Sequence, residues 1–525
     1  SKISSREGKS PGRRTQCKQV SYEKEGMKKC MIDMTKYSGR LALIMVGAIS
    51  LSLCGCEMAN GNSAQGEART TYIYGDSIQE DAGASLRAKL GVPDSCKTTF
   101  DTGKSRLSEI SLDTDDIDVP GTDRAYIVGF DRIELTQEKI QSMVEGVFDK
   151  SEGIYCRDDG DENMTKEEIQ QGIDLIEAYR DQALKEGKTD VADMYDSDIA
   201  AEKIRMTSAP DTYRPVAEYT SDKIYVGQSD GDKFSLWISG GDKDEGASGV
   251  SVEYSADASR DQDYLANVPD AVVTETVGEV DSGVDAGDEQ NVCSLDENSA
   301  RIIAQEFLDK LGISGMAFRS SQAVIRTWLD GSMTCIKTEK NGYVFQFGRQ
   351  IAGIPVVYED PTGVDNLKND KGYVMHDGDL ASVYVDDKGV FSVRARLTTD
   401  PDSFVREDTG LLSWTDMLER ANDNISEYYR KYPTAYSKVQ FDSARLLYVP
   451  CRKDDGSLAY VPAWMLTEED DKDILDDGAA YHNIVQMVYI NAIDGSLIDI
   501  AETAKTLGTW FSYDDGDGGI KTLTR

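Results

Sequence analysis

Apolar residues recur at helical spacing in several stretches of the chain, each opened by a capping residue. After Thr136, the residues Ile140, Val144, Val147 and Phe148 fall on one face. Thr165 with Glu168 three residues on forms a capping box ahead of Ile169, Ile173, Ile176 and Tyr179, and Gly187 closes that helix. A further helix is predicted over Val191–Met206, stopped by Pro210. Between these helices the period changes to two. Ala125–Thr136 reads as a strand that delivers Thr136 to its helix. Ala217–Val226, Lys233–Ser239 and Gly249–Ser255 read as an antiparallel meander, because their connections are short and rich in Gly and Asp.

The second half repeats one pattern. Ser294 through Glu297 opens a helix with Ile302, Ile303, Phe307, Leu308 and Leu311, closed by Gly312. Ser413 through Asp416 opens another with Met417, Leu418, Ala421 and Ile425. Strands follow each helix, and the stretch from Cys335 to Val344 aligns with Cys451 to Val461. Each copy ends in a hairpin, Val383–Val393 and Val488–Ile498, with Gly389 and Gly495 supplying the positive φ of the turn. The reading is a helix laid on an antiparallel sheet, twice. Strand 342–350 puts Tyr343, Phe345 and Phe347 on one face and Val344, Gln346 and Gly348 on the other; strand 459–466 likewise opposes Tyr460, Pro462, Trp464 and Leu466 to Val461, Ala463 and Met465. The helix covers one face, so the lighter face is expected either to meet water or, with an unpaired sheet edge, to receive a partner.

The run Phe347-Gly-Arg-Gln-Ile-Ala-Gly-Ile-Pro-Val356 resembles the R-x-x-x-Gly-Ile-Pro-Val strand pair of PepSY-type modules, and Tyr489–Gly495 resembles their closing hairpin. The YycH and YycI regulators share this helix-plus-sheet grammar. The likeness spans residues 294–500 and implies an extracytoplasmic binding or inhibitory role without catalytic residues. The expected fold class is therefore α+β and multidomain, with antiparallel sheets each packed with one or two helices and a tandem PepSY-like repeat in the C-terminal half. The expected divisions are an N-terminal α+β domain over 71–270, an acidic linker over 271–291, and modules over 292–400 and 401–525.

Ahead of these lies the chain's longest uncharged run. Leu41–Leu53 is too short for a bilayer core, which takes ~20 residues, and suits the apolar region of a secretory signal. Lys28, Lys29, Lys36 and Arg40 precede it, and Leu53-Cys54-Gly55-Cys56 ends it. That ending resembles the lipobox of bacterial lipoproteins, which implies diacylglyceryl modification of Cys56 and cleavage before it. Residues 27–55 are then the signal peptide and 56–70 a polar tether. Glu23–Gly26 would be encoded by a purine-rich run, so residues 1–26 read as translated leader, with the start at Met27, Met31 or Met34.

Charge narrows the partners. With 57 Lys+Arg against 95 Asp+Glu the net charge is −38, and loss of the basic leader makes it more negative. Such a surface repels nucleic acid. Beyond Cys56 five cysteines remain, Cys96, Cys156, Cys293, Cys335 and Cys451, an odd number and no disulfide framework. Cys335 and Cys451 are expected to stay unbonded to each other.

Candidate chemistry is sparse. Asp159, Asp161, Asn163 and Glu167 sit at calcium-loop spacing, but Met164 replaces the turn Gly and Gln170 the bidentate Glu, so an acidic capping loop fits better. Asp514, Asp515 and Asp517 form a similar Gly-rich loop. Gly187-Lys188-Thr189 follows a helix instead of opening one and is a C-cap, not a phosphate loop. His376 and His482 are the only histidines, so zinc or a His-dependent nucleophile would need both to converge. Trp414, Trp464 and Trp510 are aromatic candidates for stacking on sugar, though Trp464 alternates as a core residue. No cofactor is expected. The expectation is a non-enzymatic binding or regulatory lipoprotein on the outer face of the cell membrane, with an envelope protein as partner. A solute-binding lipoprotein and a carboxylate-dependent glycan hydrolase are the alternatives.

Overall fold

The computed structural model describes residues 84–158, 164–185, 187–240, 249–256, 272–277, 290–329, 335–357, 378–432, 437–453, 455–468, 487–499, 511–514 and 520–523. The Leu41–Cys56 stretch, Asp159, Asp161, Asn163, His376, His482, Trp510, Asp515 and Asp517 lie outside the described residues. The fold is α+β, built on two large sheets of eleven and eight strands.

The repeat is present as a helix followed by a four-stranded antiparallel meander. In the first copy α5 (Glu297–Lys310) precedes β10 (Met316–Leu329), β11 (Cys335–Ile351), β13 (Leu380–Asp386) and β14 (Gly389–Leu397). In the second, α6 (Trp414–Lys431) precedes β16 (Lys438–Arg452), β17 (Leu458–Thr467), β18 (Met487–Asn491) and β19 (Leu497–Ile498). Their third strands end in the same way. The Asp386 carboxylate accepts from the Lys388 N–H, and the Asn491 side-chain oxygen from the Ile493 N–H, both at 2.9 Å. These Asx turns start each closing hairpin, and Gly389 and Gly495 take φ of 102° and 77°.

A third unit of the same plan lies in the N-terminal region. α2 (Gln137–Val147), capped by the Thr136 hydroxyl, precedes β4 (Tyr155–Asp158), β6 (Lys223–Ser229), β7 (Asp232–Gly240) and β8 (Val250–Ala256), again an antiparallel meander. A helical hairpin, α3 (Lys166–Lys185) and α4 (Thr189–Met206), with the two-residue β5 (Arg214–Pro215), is inserted between its first and second strands. The last strand of this unit pairs antiparallel with the last strand of the first copy, Tyr254 opposite Val393. Their helices pack together on one face of the joined sheet. Gly146 is required there, because a Cβ would stand 2.0 Å from the Lys310 carbonyl oxygen. The two meanders are thus related by a local two-fold through β8 and β14.

The second copy is completed from the chain's beginning. β1 (Cys96–Phe100) pairs β2 (Glu109–Asp118), and β2 runs parallel to β16 from Lys438 to Arg445. β3 (Tyr126–Arg132) spans the start of β17 and β15 (Thr399–Asp408). The short helix α1 (Leu86–Leu90) packs its two leucines into the same core.

Several expectations need correction. Boundaries at 270, 291 and 400 do not divide the sheets, since strands from 71–270 pair with both copies. The 271–291 linker contains β9 (Val272–Val277), antiparallel to Val324–Leu329 of β10. The N-cap of α5 is Asp296, not Ser294, because the Ser294 N–H and hydroxyl both donate to Asp387 in the β13–β14 turn. Ile302 is 51% exposed; Ala300, Ala304, Phe307 and Leu308 form the buried stripe. Cys335 and Cys451 are not equivalent. Tyr343 donates to the Leu295 carbonyl beside the start of α5, and Trp464 packs edge-on to Trp414 at the start of α6, so those two side chains correspond. Two register shifts in the β10–β11 pairing displace Cys335 to the opening of β11, while Cys451 lies near the end of β16. Among the described residues Cys96, Cys156, Cys293 and Cys451 form no disulfide.

The lighter face of each sheet is also closed. Phe345 and Phe347 pack under the helices as expected, but Val344 and Gln346 opposite them are only 1% and 2% exposed. Val344 joins Val324, Tyr384 and Phe391 in a second small core, beside an Arg326–Asp386 ion pair (2.7 Å) that is fully buried. Val461 and Ala463 are likewise buried in the core of the eight-stranded sheet. Neither lighter face is a solvated surface at these positions.

Candidate functional site

The two sheets meet where β14 ends at Leu397 and β15 begins at Thr399. One carboxylate fixes this crossing. Asp379, just ahead of β13, accepts from the Thr398 N–H (2.5 Å), the Thr398 hydroxyl (3.0 Å) and the Thr399 N–H (3.1 Å). Its other oxygen pairs with Arg349 at 2.6 Å, and both side chains are buried. Arg349 also donates to the Ser314 carbonyl at the end of the α5–β10 turn. Thr399 carries the network on, its hydroxyl 2.6 Å from that of Tyr460, which stacks on Phe130. Burial holds the Tyr460 phenol well above its usual pKa. A hydroxyl so placed stays protonated and serves as a hydrogen-bonding group.

Arg349 begins the R-x-x-x-Gly-Ile-Pro-Val run, and that run forms the second tie. Ala352 and Gly353 take φ of 49° and 83°, a two-residue turn with both residues left-handed. It returns the chain as β12 (Ile354–Pro355) against β11. Val356 then bridges in parallel to Tyr448 of the other sheet, and the Val357 N–H donates to the Tyr448 carbonyl (2.8 Å). Ile351, Ile354, Val356 and Val357 belong to the core of the eight-stranded sheet, although β11 belongs to the eleven-stranded one. The motif therefore stitches two sheets together.

Above the crossing lies a cleft of about 130 Å³, lined by Lys139, Ser142, Ile313, Asp400, Pro401 and Asp402 among others. Lys139 pairs with Asp400 at 2.8 Å, and both are half-buried. The cleft has an apolar floor and a rim of one ammonium and two carboxylates, suited to holding a small polar group. The charges beneath it, Arg349 and Asp379, are consumed by each other and by the backbone.

A second buried carboxylate sits at the base of the α3–α4 hairpin. Glu168 accepts from the Thr165 N–H and hydroxyl, completing the expected capping box, and also from Lys233 (3.0 Å) and the Tyr213 hydroxyl. Glu167, the described member of the calcium candidate, is exposed on the first turn of α3. Among the described residues no three metal-ligating side chains converge. Trp414 and Trp464 are both in the core, so neither is a stacking platform. Sequence reasoning placed Arg349 in a motif but missed its partner Asp379 and the pair Arg326–Asp386. The available signal was a charged residue inside an otherwise apolar strand.

Cys293 is half-buried with its thiol 3.4 Å from Asp387, and burial, followed by the nearby carboxylates, pushes its pKa up to about 11. Because the folded value lies above the ordinary one near 9, the thiol's contribution to stability is full below about pH 9 and is lost as pH rises through about 11. Alkylation of Cys293 in the folded protein should therefore inflect near pH 11. An inflection near 8.5, the value of a free thiol, would contradict this environment.

No family model matches this chain, and no curated protein matches it. Among solved structures, an uncharacterized protein from Eubacterium rectale is similar at 12% identity, covering 78% of this chain and 94% of that one with a TM-score of 0.34.

Proposed function

We propose that the chain is a lipid-anchored, non-enzymatic binding or regulatory protein on the outer face of the cell membrane, acting on another envelope protein. The observation that carries the proposal is the coincidence of a basic flank, an uncharged run and Leu53-Cys54-Gly55-Cys56, followed by a small polar tether. The resemblance of residues 294–500 to PepSY-type modules supports a binding role. So does the use made of the buried charges: Arg349, Asp379 and Glu168 spend their hydrogen bonds on architecture, leaving no acid–base pair among them for chemistry. A second reading, capture of a small solute, rests on the cleft beside Lys139.

Metabolic labelling with a fatty-acid analogue should mark the wild-type chain and not Cys56→Ser, which accumulates as unprocessed precursor. A Cys56→Ser protein that is still labelled refutes the anchor. Full mature chain immobilised on solubilised envelope should retain a defined protein. If it retains none and instead cleaves a glycan, the binding role is wrong.

A further inference from the structure

The cleft above the sheet crossing draws a wall from each of three segments. α2 contributes Lys139, Ser142 and Met143, the α5–β10 turn contributes Leu311 to Ser314, and the start of β15 contributes Thr399 to Asp402. Contacts within the chain fix these walls. β15 leaves β3 between Asp400 and Val405, so that Pro401 to Phe404 stand opposite Phe130 alone. Ser403 pins this excursion: its hydroxyl accepts from the Asp131 N–H (2.7 Å) and donates to the Asp400 carbonyl (2.6 Å). At the turn Gly315 takes a φ of 70°, and a Cβ there would stand 2.8 Å from Arg349 Nη1, the group that bonds the Ser314 carbonyl. Walls fixed beforehand lose little entropy when a ligand arrives.

The charges at the mouth do not cancel. Lys139 is committed to Asp400 at 2.8 Å. Asp402 lies on the same loop, and its N–H donates to the Asp400 carboxylate (3.3 Å). Among the described residues neither the Asp402 carboxylate nor the Ser142 hydroxyl has a partner. Beneath them Arg349 is neutralised by Asp379. The described lining thus carries one negative charge in excess, on a chain of net charge −38. An anion is repelled by it. A metal ion is poorly served, since no three ligating side chains converge among the described residues. Ile133, Met143, Ile313 and Leu397 offer apolar surface to a hydrocarbon body. The volume of about 130 Å³ sets the size, because at ~10–15 Å³ per water it holds about ten non-hydrogen atoms.

We infer that this cleft binds a small organic monocation, an aliphatic primary amine of up to about ten non-hydrogen atoms. Its ammonium meets the Asp402 carboxylate and the Ser142 hydroxyl at the mouth, and its hydrocarbon chain lies on Ile133, Met143, Ile313 and Leu397. The inference rests on the solute-capture reading above and names the class of solute.

Calorimetric titration of the full-length chain tests it, in salt of about 0.15 M to screen diffuse attraction. The probes are hexylamine, hexanol and hexanoate, alike in length and different in charge. Hexylamine should saturate one site, and the other two should bind about tenfold more weakly or less. Asp402→Asn should weaken hexylamine about tenfold, and Lys139→Met, which releases Asp400, should tighten it by about the same factor. Ser142→Phe fills the mouth and should abolish binding. Asp402 and Ser142 are exposed, so neither of their variants disturbs the core. Hexylamine binding that survives Ser142→Phe, is unchanged in Asp402→Asn or loosens in Lys139→Met overturns the site. Hexanol or hexanoate bound as tightly as the amine, and lost in Ser142→Phe, overturns the cation while solute capture stands. Saturation by none of the three overturns both, and leaves the anchoring and envelope-retention results untouched.

Discussion

Asp379→Ala should destabilise the folded chain by about 3–5 kcal/mol, the cost typical of removing one partner from a buried ion pair. The carboxylate meets three donors at the sheet crossing and the guanidinium of Arg349. Its loss leaves Arg349 charged and buried with only backbone partners, and frees the backbone at Thr398 and Thr399. Arg349→Met alone should cost a similar amount by stranding Asp379. The double variant Asp379→Ala/Arg349→Met should cost much less than the sum, because no uncompensated charge remains. Urea unfolding midpoints of the four proteins give the cycle. Additive single losses would mean that the pair does not act as a unit.

Trp464→Ala should be as damaging, about 3–5 kcal/mol for emptying a fully buried aromatic site. Trp464 is among the largest fully buried side chains and stands 4.7 Å, edge-on, from Trp414 at the first residue of α6. Truncation removes the sheet surface on which that helix starts. Trp464→Phe should be milder, since it keeps an aromatic body and the indole N–H it deletes has no hydrogen-bond partner among the described residues. Met465→Ala, on the opposite face and half-buried, serves as the comparison. A Trp464→Ala loss no greater than that of Met465→Ala in thermal unfolding would remove Trp464 from the core of this unit.

Local features were legible in the sequence wherever a side chain bonds to its own segment. Thr136, Thr165 with Glu168, and Ser413 cap the helices they were expected to cap. The 223–256 meander and both closing hairpins followed from alternation and Gly-containing turns. Non-local features left no comparable trace. The parallel pairing of β2 with β16 joins residues 329 apart, as in Lys438 with Glu109, and nothing within either strand names its partner. The third helix-plus-meander unit was hidden because α3 and α4 interrupt it after its first strand. Alignment of the two copies slipped because bulges in β11 change its residue count without changing its path. The junction was half legible: the turn at Ala352–Gly353 was read, but Asp379 gained its role only from the fold.

The pairing of β2 with β16 sets an order of events during synthesis. A chain made from its N-terminus presents Glu109–Asp118 long before Lys438 exists, so the edge of this strand away from β1 waits for its partner through most of translation. In that interval its apolar residues would template association with other nascent chains, as any bare edge does. Asp113, Asp115, Asp116 and Asp118 crowd the same segment. Their mutual repulsion between identical copies disfavours pairing at that edge until β16 arrives, a gatekeeping role in the unfinished chain that the finished sheet no longer displays.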